Sequence, residues 1–220
     1  FDTGNDSGKM TDDYLRRMQN ILPDFEEYKA CLGQAPYKGI RVNTLKISAA
    51  EFKKISPFAL EQIEWESNGF LIEDEKPGRS VYHDAGLFYV QEPSAMCAAP
   101  LLDVKPGERV LDLCSAPGGK GTQLAQAMRG EGILVLNEKI PDRAKILLQN
   151  VERMGIVNAV VTNADPSELS ERLEGYFDKV LVDAPCSGEG MLRKEAAAAE
   201  NWSIANVEMC AARQKKILER

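Results

Sequence analysis

The feature that most constrains the fold is a regular alternation of apolar runs and helical segments in the second half of the chain. The apolar runs have the length of buried strands, and the segments between them carry the periodicity of amphipathic helices. Strands are predicted at 109–114, 132–137, 159–163 and 179–182, with helices at 121–128 and 141–154 between the first three. Such alternation is typical of parallel βαβ units with right-handed crossovers, so the fold class is predicted to be α/β.

The first half of the chain follows a different pattern. Two short amphipathic helices are predicted at 11–22 and 24–32, then a strand, a helix that begins after Ser48, and a hairpin; the strand covers 39–45 and the hairpin joins 63–65 to 70–72. We therefore predict three regions: a disordered lead-in or expression remnant at 1–9, a small α+β module at 10–78, and a second domain at 79–220. The last residues, 214–220, fall inside a helical pattern, which suggests that the chain is cut there.

Composition excludes several classes of protein. The net charge of −7 is not that of a polycation, so an RNA partner would have to be bound by local basic residues, by a segment outside this chain, or weakly. No apolar run approaches the roughly 20 residues of a membrane span. The five cysteines are scattered and contain no C-x-x-C pair, which argues against a zinc site or a disulfide framework. We expect a cytoplasmic protein with no membrane partner and no metal.

The ends of the predicted strands carry acidic residues or glycines. In a parallel sheet, ligands bind beyond the carboxyl ends of the strands. Four stretches follow the four strands: 112–120 (DLCSAPGGK), Asn137-Glu138, Ala164-Asp165 and 183–186 (DAPC). A single acid in such a position is explained as a helix cap, but an acid or a glycine loop after every strand predicts a binding site.

The glycine loop at 112–120 is neither of the two common phosphate-binding motifs. Cys114 stands where a P-loop has its first glycine, and Gly121 stands where it has serine or threonine. The loop also lacks the G-x-G-x-x-G spacing, which disfavours a nicotinamide dehydrogenase. Gly118-Gly119 still allows close backbone approach to a ligand. Glu138 lies 24 positions after Cys114, near the roughly 20-residue offset of a ribose-binding acid, so a nucleoside ligand is predicted.

An adenosyl group suits this arrangement, with Glu138 on the ribose hydroxyls and Asp165 near the adenine amine. The stretches VLDLCSAPGGKGTQLA and LVDAPCSGEGMLRKE closely resemble the RNA cytosine-C5 methyltransferases of the Sun/Nop2 family. RVNTLK at 41–46, YVQEPSAM at 89–96 and the run 202–218 also match. The resemblance covers nearly everything from Met10 onward and is greatest to the bacterial RsmF-like ribosomal RNA enzymes.

The resemblance implies a fold, a cofactor and a partner. The fold is a Rossmann-like class I methyltransferase sheet, incomplete at the C-terminus, with a small N-terminal RNA-binding α+β module. The cofactor is S-adenosylmethionine, and the partner is ribosomal RNA, with transfer RNA as the alternative target. Arg143 is expected to support Glu138, and Lys120 to orient the loop or reach Asp183. The implied cofactor-binding residues are Cys114, Ser115, Ala116, Pro117, Gly118, Gly119, Lys120, Glu138, Arg143, Asp165 and Asp183.

Cys186 has two interpretations. It could attack cytosine C6, as the Pro-Cys cysteine does in DNA cytosine methyltransferases. In the RNA family a second cysteine, in a Thr-Cys motif after the next strand, attacks instead, and the DAPC cysteine helps to break down the adduct. This chain ends before that strand, so we assign Cys186 as the helper and Asp183 as the catalytic acid. We expect the chain to bind the cofactor without methylating; the alternative from another class is a non-catalytic cofactor-binding scaffold.

Overall fold

The computed structural model describes residues 11–73, 76–192 and 202–219. The predicted lead-in at 1–9 lies outside this part of the chain. The described residues form two compact units, a larger one at 37–184 and a smaller one made from the chain up to residue 36 together with 185–219.

The helices and strands are as follows. The helices are α1 (Asp12–Ile21), α2 (Phe25–Leu32), α3 (Ala49–Ile55), α4 (Val81–Asp84), α5 (Ala98–Leu101), α6 (Gly119–Met128), α7 (Pro141–Met154), α8 (Pro166–Arg172) and α9 (Ile204–Leu218). The strands are β1 (Lys38–Val42), β2 (Glu61–Gln62), β3 (Gly69–Ile72), β4 (Phe88–Val90), β5 (Arg109–Asp112), β6 (Ile133–Asn137), β7 (Ala159–Thr162) and β8 (Lys179–Leu181). Short 3₁₀ turns lie at Pro77–Arg79, Ser94–Cys97 and Glu189–Met191.

The smaller unit is helical and has an aromatic core. The side chain of Thr11 caps α1 and that of Ser203 caps α9, each by accepting a hydrogen bond from a backbone amide in the first turn. Tyr14 and Trp202 pack edge to face with their ring centroids 5.3 Å apart. This contact, with the buried Met18 beside it, joins the N-terminal helix to the C-terminal segment of the same unit.

The first sheet of the larger unit is antiparallel, with the order β2-β3-β1-β4. Its core contains the aromatic rings of Phe52, Phe70 and Phe88. Strand β4 was not predicted, because three residues are too short for a periodic signal; it pairs with β1 and extends this sheet beyond residue 78. The hairpin was predicted correctly in kind, but its first strand is 61–62 and not 63–65. The strand predicted at 39–45 ends at Val42, because the side chain of Asn43 accepts from the amide of Leu45 and forms a turn.

The second sheet is parallel, with the order β7-β6-β5-β8, as the strand–helix alternation predicted. Its core packs Leu134 and Leu136 of β6 against Leu124 of α6 and Leu147 of α7. Burying each of these side chains contributes roughly 1.5–3 kcal/mol. Helix α7 begins with Pro141 and ends at Gly155 in the left-handed conformation, so it matches the predicted 141–154.

No helix in the described ranges is long and apolar enough to cross a membrane.

Candidate functional site

The carboxyl ends of the four parallel strands meet at one edge of the second sheet. Because the strand order is β7-β6-β5-β8, this edge presents Asp165, Glu138, the glycine loop and Asp183 in that order. Asp112, the last residue of β5, pairs with Leu136 on one side and Leu181 on the other, which places the loop at the centre of the row. Residues up to 71 positions apart in the chain are therefore brought to one edge.

The glycine loop has a backbone that few residues other than glycine could adopt. Gly118 has φ +112°, and a Cβ there would lie 3.0 Å from Cδ1 of Leu147. Side chains bind two of the loop carbonyls: Arg143 Nη2 donates to Ala116 O at 2.7 Å, and Asn150 Nδ2 donates to Pro117 O at 2.9 Å. The loop leads directly into α6, and the first amides of a helix have no intrahelical acceptor, so this end of α6 is suited to an electron-rich ligand.

Glu138 is buried at the end of β6 and is only partly hydrogen-bonded. Its Oε1 accepts from the amide of Ile140 at 2.8 Å, and its Oε2 lies 3.1 Å from Nη1 of Arg143. Arg143 therefore contacts Glu138 as expected, and it joins that acid to the loop through Ala116. A carboxylate has about four lone-pair sites, so Glu138 can still accept from two hydroxyl groups.

Asp165 forms the N-cap of α8, which is the ordinary function of an acid after a strand. Its Oδ1 accepts from the amide and the hydroxyl of Ser167, and its Oδ2 lies 2.6 Å from Nζ of Lys139. The hydrogen bonds from Lys139 and then from Ser167 hold the pKa of Asp165 well below its usual range. One lone-pair site of this carboxylate remains for a ligand.

Asp183 is paired with the lysine of the glycine loop. Nζ of Lys120 lies 2.5 Å from Oδ2 of Asp183, which confirms the prediction that Lys120 reaches this acid. Asp183 is exposed, so its second oxygen is accessible to a substrate. Cys186 lies three residues further along the chain, is exposed, and belongs to the smaller unit.

Asp112 is a residue of this edge that sequence reasoning did not assign to the site. It is 1% exposed, and its carboxylate makes no hydrogen bond of ordinary geometry with the described residues. The buried hydroxyl of Ser115 and the backbone of Cys114 lie close enough to lower the pKa of Asp112 in part. Burial raises the pKa of Asp112 to about 6, and the charge of Asp183 adds to this effect. A Cβ on Gly121 would lie 2.5 Å from Oγ of Ser115, which explains the glycine at a position where a P-loop has serine or threonine.

Cys114 is at the end of β5 but is a poor nucleophile. Burial, followed by the charges of Asp112, Glu138 and Asp183, raises the pKa of its thiol to about 11. The thiol therefore stays protonated near neutral pH, and nucleophilic attack requires a thiolate. Cys114 therefore contributes to the site through its backbone, as part of the loop.

Comparisons with known proteins give the family. Residues 99–220 match the family described as 16S rRNA methyltransferase RsmB/F, and residues 10–93 match the N-terminal domain of 16S rRNA methyltransferase RsmF. The chain belongs to the RsmB/F family. This confirms the resemblance found in the sequence.

Individual relatives agree with this assignment. Ribosomal RNA small subunit methyltransferase F of Vibrio parahaemolyticus is 40% identical over 94% of this chain and 46% of its own length. The crystal structure of PH0851 has a TM-score of 0.89 at 29% identity and covers 96% of this chain and 49% of that one. A methyltransferase homolog from Pyrococcus horikoshii has a TM-score of 0.75 at 27% identity, over 96% of this chain and 72% of that one. The chain spans about half the length of the curated relatives it matches.

The family is one of S-adenosylmethionine-dependent methyltransferases, and the residues at this edge fit that cofactor. Glu138 is buried with hydrogen-bonding capacity to spare, and Asp112 is a buried carboxylate at the same edge. Gly118 and Gly119 present a backbone without side chains at the start of α6. The described residues contain no cluster of histidine, cysteine, aspartate and glutamate that could bind a metal ion.

Proposed function

We propose that this chain is part of an enzyme that methylates C5 of a cytosine in small-subunit ribosomal RNA, with S-adenosylmethionine as the methyl donor. The observation that supports this most directly is the buried Glu138, one strand away from the glycine loop and joined to it through Arg143. This geometry supports the proposal of a nucleoside site. The names of the RsmB/F family and of the Vibrio relative support ribosomal RNA as the substrate.

Different residues at this edge bind different parts of the cofactor. Glu138 accepts hydrogen bonds from the ribose hydroxyls, and Asp165 uses its remaining lone pair for the adenine amine. The backbone of the loop from Cys114 to Lys120 contacts the rest of the cofactor. When bound, S-adenosylmethionine supplies an electrophilic methyl group on a sulfonium centre.

The cytosine must be activated before it can accept that methyl group. A thiolate that adds to C6 turns the ring into an enamine whose C5 is nucleophilic; loss of the C5 proton after methylation then expels the thiolate. Asp183 contacts the edge of the ring that carries N3 and the amino group, and it stabilises the adduct there. Lys120 holds Asp183 in place for this contact.

Cys186 assists the second half of this reaction, when the enzyme is released from C6. The attacking thiol belongs to a further cysteine in the longer protein, as the family resemblance implies. Within this chain, Cys114 is disfavoured by its raised pKa, and Cys210 is buried in the smaller unit. The chain of 220 residues is therefore expected to bind the cofactor without methylating RNA.

Replacing Glu138 tests the nucleoside site. Glu138→Ala would leave one or two ribose hydroxyls without an acceptor, at a cost of roughly 1–3 kcal/mol, so the affinity for S-adenosylhomocysteine should fall by about 5- to 150-fold. Isothermal titration calorimetry on the 220-residue chain measures this directly. Glu152→Ala, an exposed glutamate on α7, is the matched control and should bind as the wild type does. Unchanged affinity in Glu138→Ala would remove the assignment.

Replacing Cys186 tests the mechanism. In the full-length protein, Cys186→Ser should allow a covalent protein–RNA adduct to accumulate on unmethylated small-subunit ribosomal RNA, because release from C6 is impaired. The adduct is detected as a shifted band on a denaturing gel. Cys97→Ser is the control, since Cys97 is exposed and its thiol contacts only Ser94 O in the described structure.

The 220-residue chain should transfer no label from radiolabelled S-adenosylmethionine to the same RNA. Label transfer that Cys186→Ser abolishes would make Cys186 the nucleophile. Absence of an adduct in the full-length variant would remove the helper role.

A further inference from the structure

Arg41, in the middle of the first sheet, is fully buried and makes hydrogen bonds to the glycine loop and α6. It is 0% exposed and lies on β1. Its Nη1 donates to Gly119 O at 2.7 Å, its Nη2 to Thr122 Oγ1 at 2.7 Å, and its Nε to Gln126 Oε1 at 2.7 Å. Nη1 also donates to the side chain of Gln91, which follows β4.

The acceptor that matters most is the carbonyl of Gly119. Gly119 is the first residue of α6 and follows Gly118, the residue whose positive φ turns the loop into the helix. A second side chain of the first sheet contacts the same loop: the hydroxyl of Tyr89, on β4, donates to Pro117 O at 3.3 Å. The ring of Tyr89 also lies beneath the Arg41 guanidinium, 5.6 Å from centroid to Cζ. The first sheet therefore binds the loop at two carbonyls.

Burying the charged guanidinium of Arg41 costs more free energy than a purely structural contact between neutral groups would. Arg41 makes no ion pair within the described ranges, and burial lowers its pKa to about 10, against the opposing effect of Glu66. Taking a charged group out of water carries a large desolvation penalty that its hydrogen bonds must offset. The planar guanidinium group has several N–H donors in a fixed geometry. It can therefore bind a backbone carbonyl and two side chains of α6 at the same time.

We propose that Arg41 is a positioning residue for the cofactor: by fixing Gly119 O it sets the orientation of the glycine loop and therefore the affinity for S-adenosylmethionine. The proposal rests on the proposed function for the identity of the ligand. It also assigns a role to the first sheet that differs from RNA binding, since β1 and β4 become part of the support of the cofactor site.

The test separates the loop contact from general stability. Arg41→Lys keeps the charge but cannot bond Gly119, Thr122 and Gln126 together. We expect about tenfold weaker binding of S-adenosylhomocysteine by calorimetry on the 220-residue chain. Gln126→Leu removes the bond that Gln126 accepts from Arg41 and those that it donates to Val42 O and Asn43 Oδ1, two turns further along α6, and leaves Gly119 in contact. It should lower the melting temperature comparably but change affinity by less than about twofold.

Amide hydrogen exchange provides a readout that needs no ligand. In Arg41→Lys, the amide of Thr122, which donates to Gly118 O, should exchange about tenfold faster than in the wild type, whereas the amides of β6 should not change. If Arg41→Lys does not fold, Tyr89→Phe removes only the hydroxyl bond to Pro117. It should weaken binding by about threefold, with Tyr82→Phe as its control.

Two results would overturn the proposal: wild-type affinity and loop exchange in a folded Arg41→Lys variant, or equal losses of affinity in Arg41→Lys and Gln126→Leu. Failure of the wild-type chain to bind S-adenosylhomocysteine would instead contradict the proposed function. In that case the exchange rate of the Thr122 amide still decides whether Arg41 fixes the loop.

Discussion

At the scale of single residues, the raised pKa of Asp112 predicts how the stability of the folded protein depends on pH. Its folded pKa of about 6 is above the ordinary value of 3.8, so the folded protein holds a proton that the unfolded chain has lost. Stability from this group is therefore fully present below pH 3.8, falls as the pH rises through about 6, and is lost above that. The shift corresponds to about 3 kcal/mol. Asp112→Asn removes the titration, so its stability relative to wild type should rise by about 2 kcal/mol between about pH 4.5 and about pH 7.5, since the rest of the effect is already lost at the lower pH.

Urea denaturation at the two pH values measures the difference. Asp142→Asn is the matched control, because Asp142 is exposed on α7 and its pair with Lys145 is a surface contact. A constant offset between Asp112→Asn and the wild type would show that the Asp112 carboxyl does not titrate in this range.

At the scale of secondary-structure elements, the success of sequence-based prediction depended on local signals. The parallel sheet and helix α7 were predicted because apolar runs, a proline and a glycine mark them within the segment itself. Glu138 was singled out for the same reason, since it directly follows β6, and its role stays a prediction. Strand β4 was missed because it is stabilised by pairing with β1, about 50 residues earlier. Arg41 could not be assigned a role from the sequence, because its partner Gly119 is 78 positions away. Nothing in the motif RVNTLK indicates that this arginine is buried.

At the scale of the whole molecule, charge limits how this chain can bind RNA. The net charge is −7, and many of the basic side chains are already paired with carboxylates. These pairs include Lys120–Asp183, Arg109–Asp178, Lys139–Asp165, Arg143–Glu138 and Lys179–Glu108. Arg41 is buried and cannot contact a phosphate. The net negative charge therefore opposes the binding of an RNA strand, and these pairs reduce the cationic character of the surface further.

We predict that the 220-residue chain binds small-subunit ribosomal RNA weakly and loses that binding steeply with salt. Its dissociation constant should fall in the range of non-specific complexes, about 10⁻⁴–10⁻⁶ M, and the binding that remains depends on phosphate contacts. Fluorescence anisotropy with a labelled fragment of that RNA, at about 50 and 200 mM salt, measures both quantities. The Vibrio parahaemolyticus relative, of which this chain covers 46%, is measured beside it as the control. Tight binding by the 220-residue chain that persists at the higher salt would require a base-reading site on these residues, which their charges do not supply.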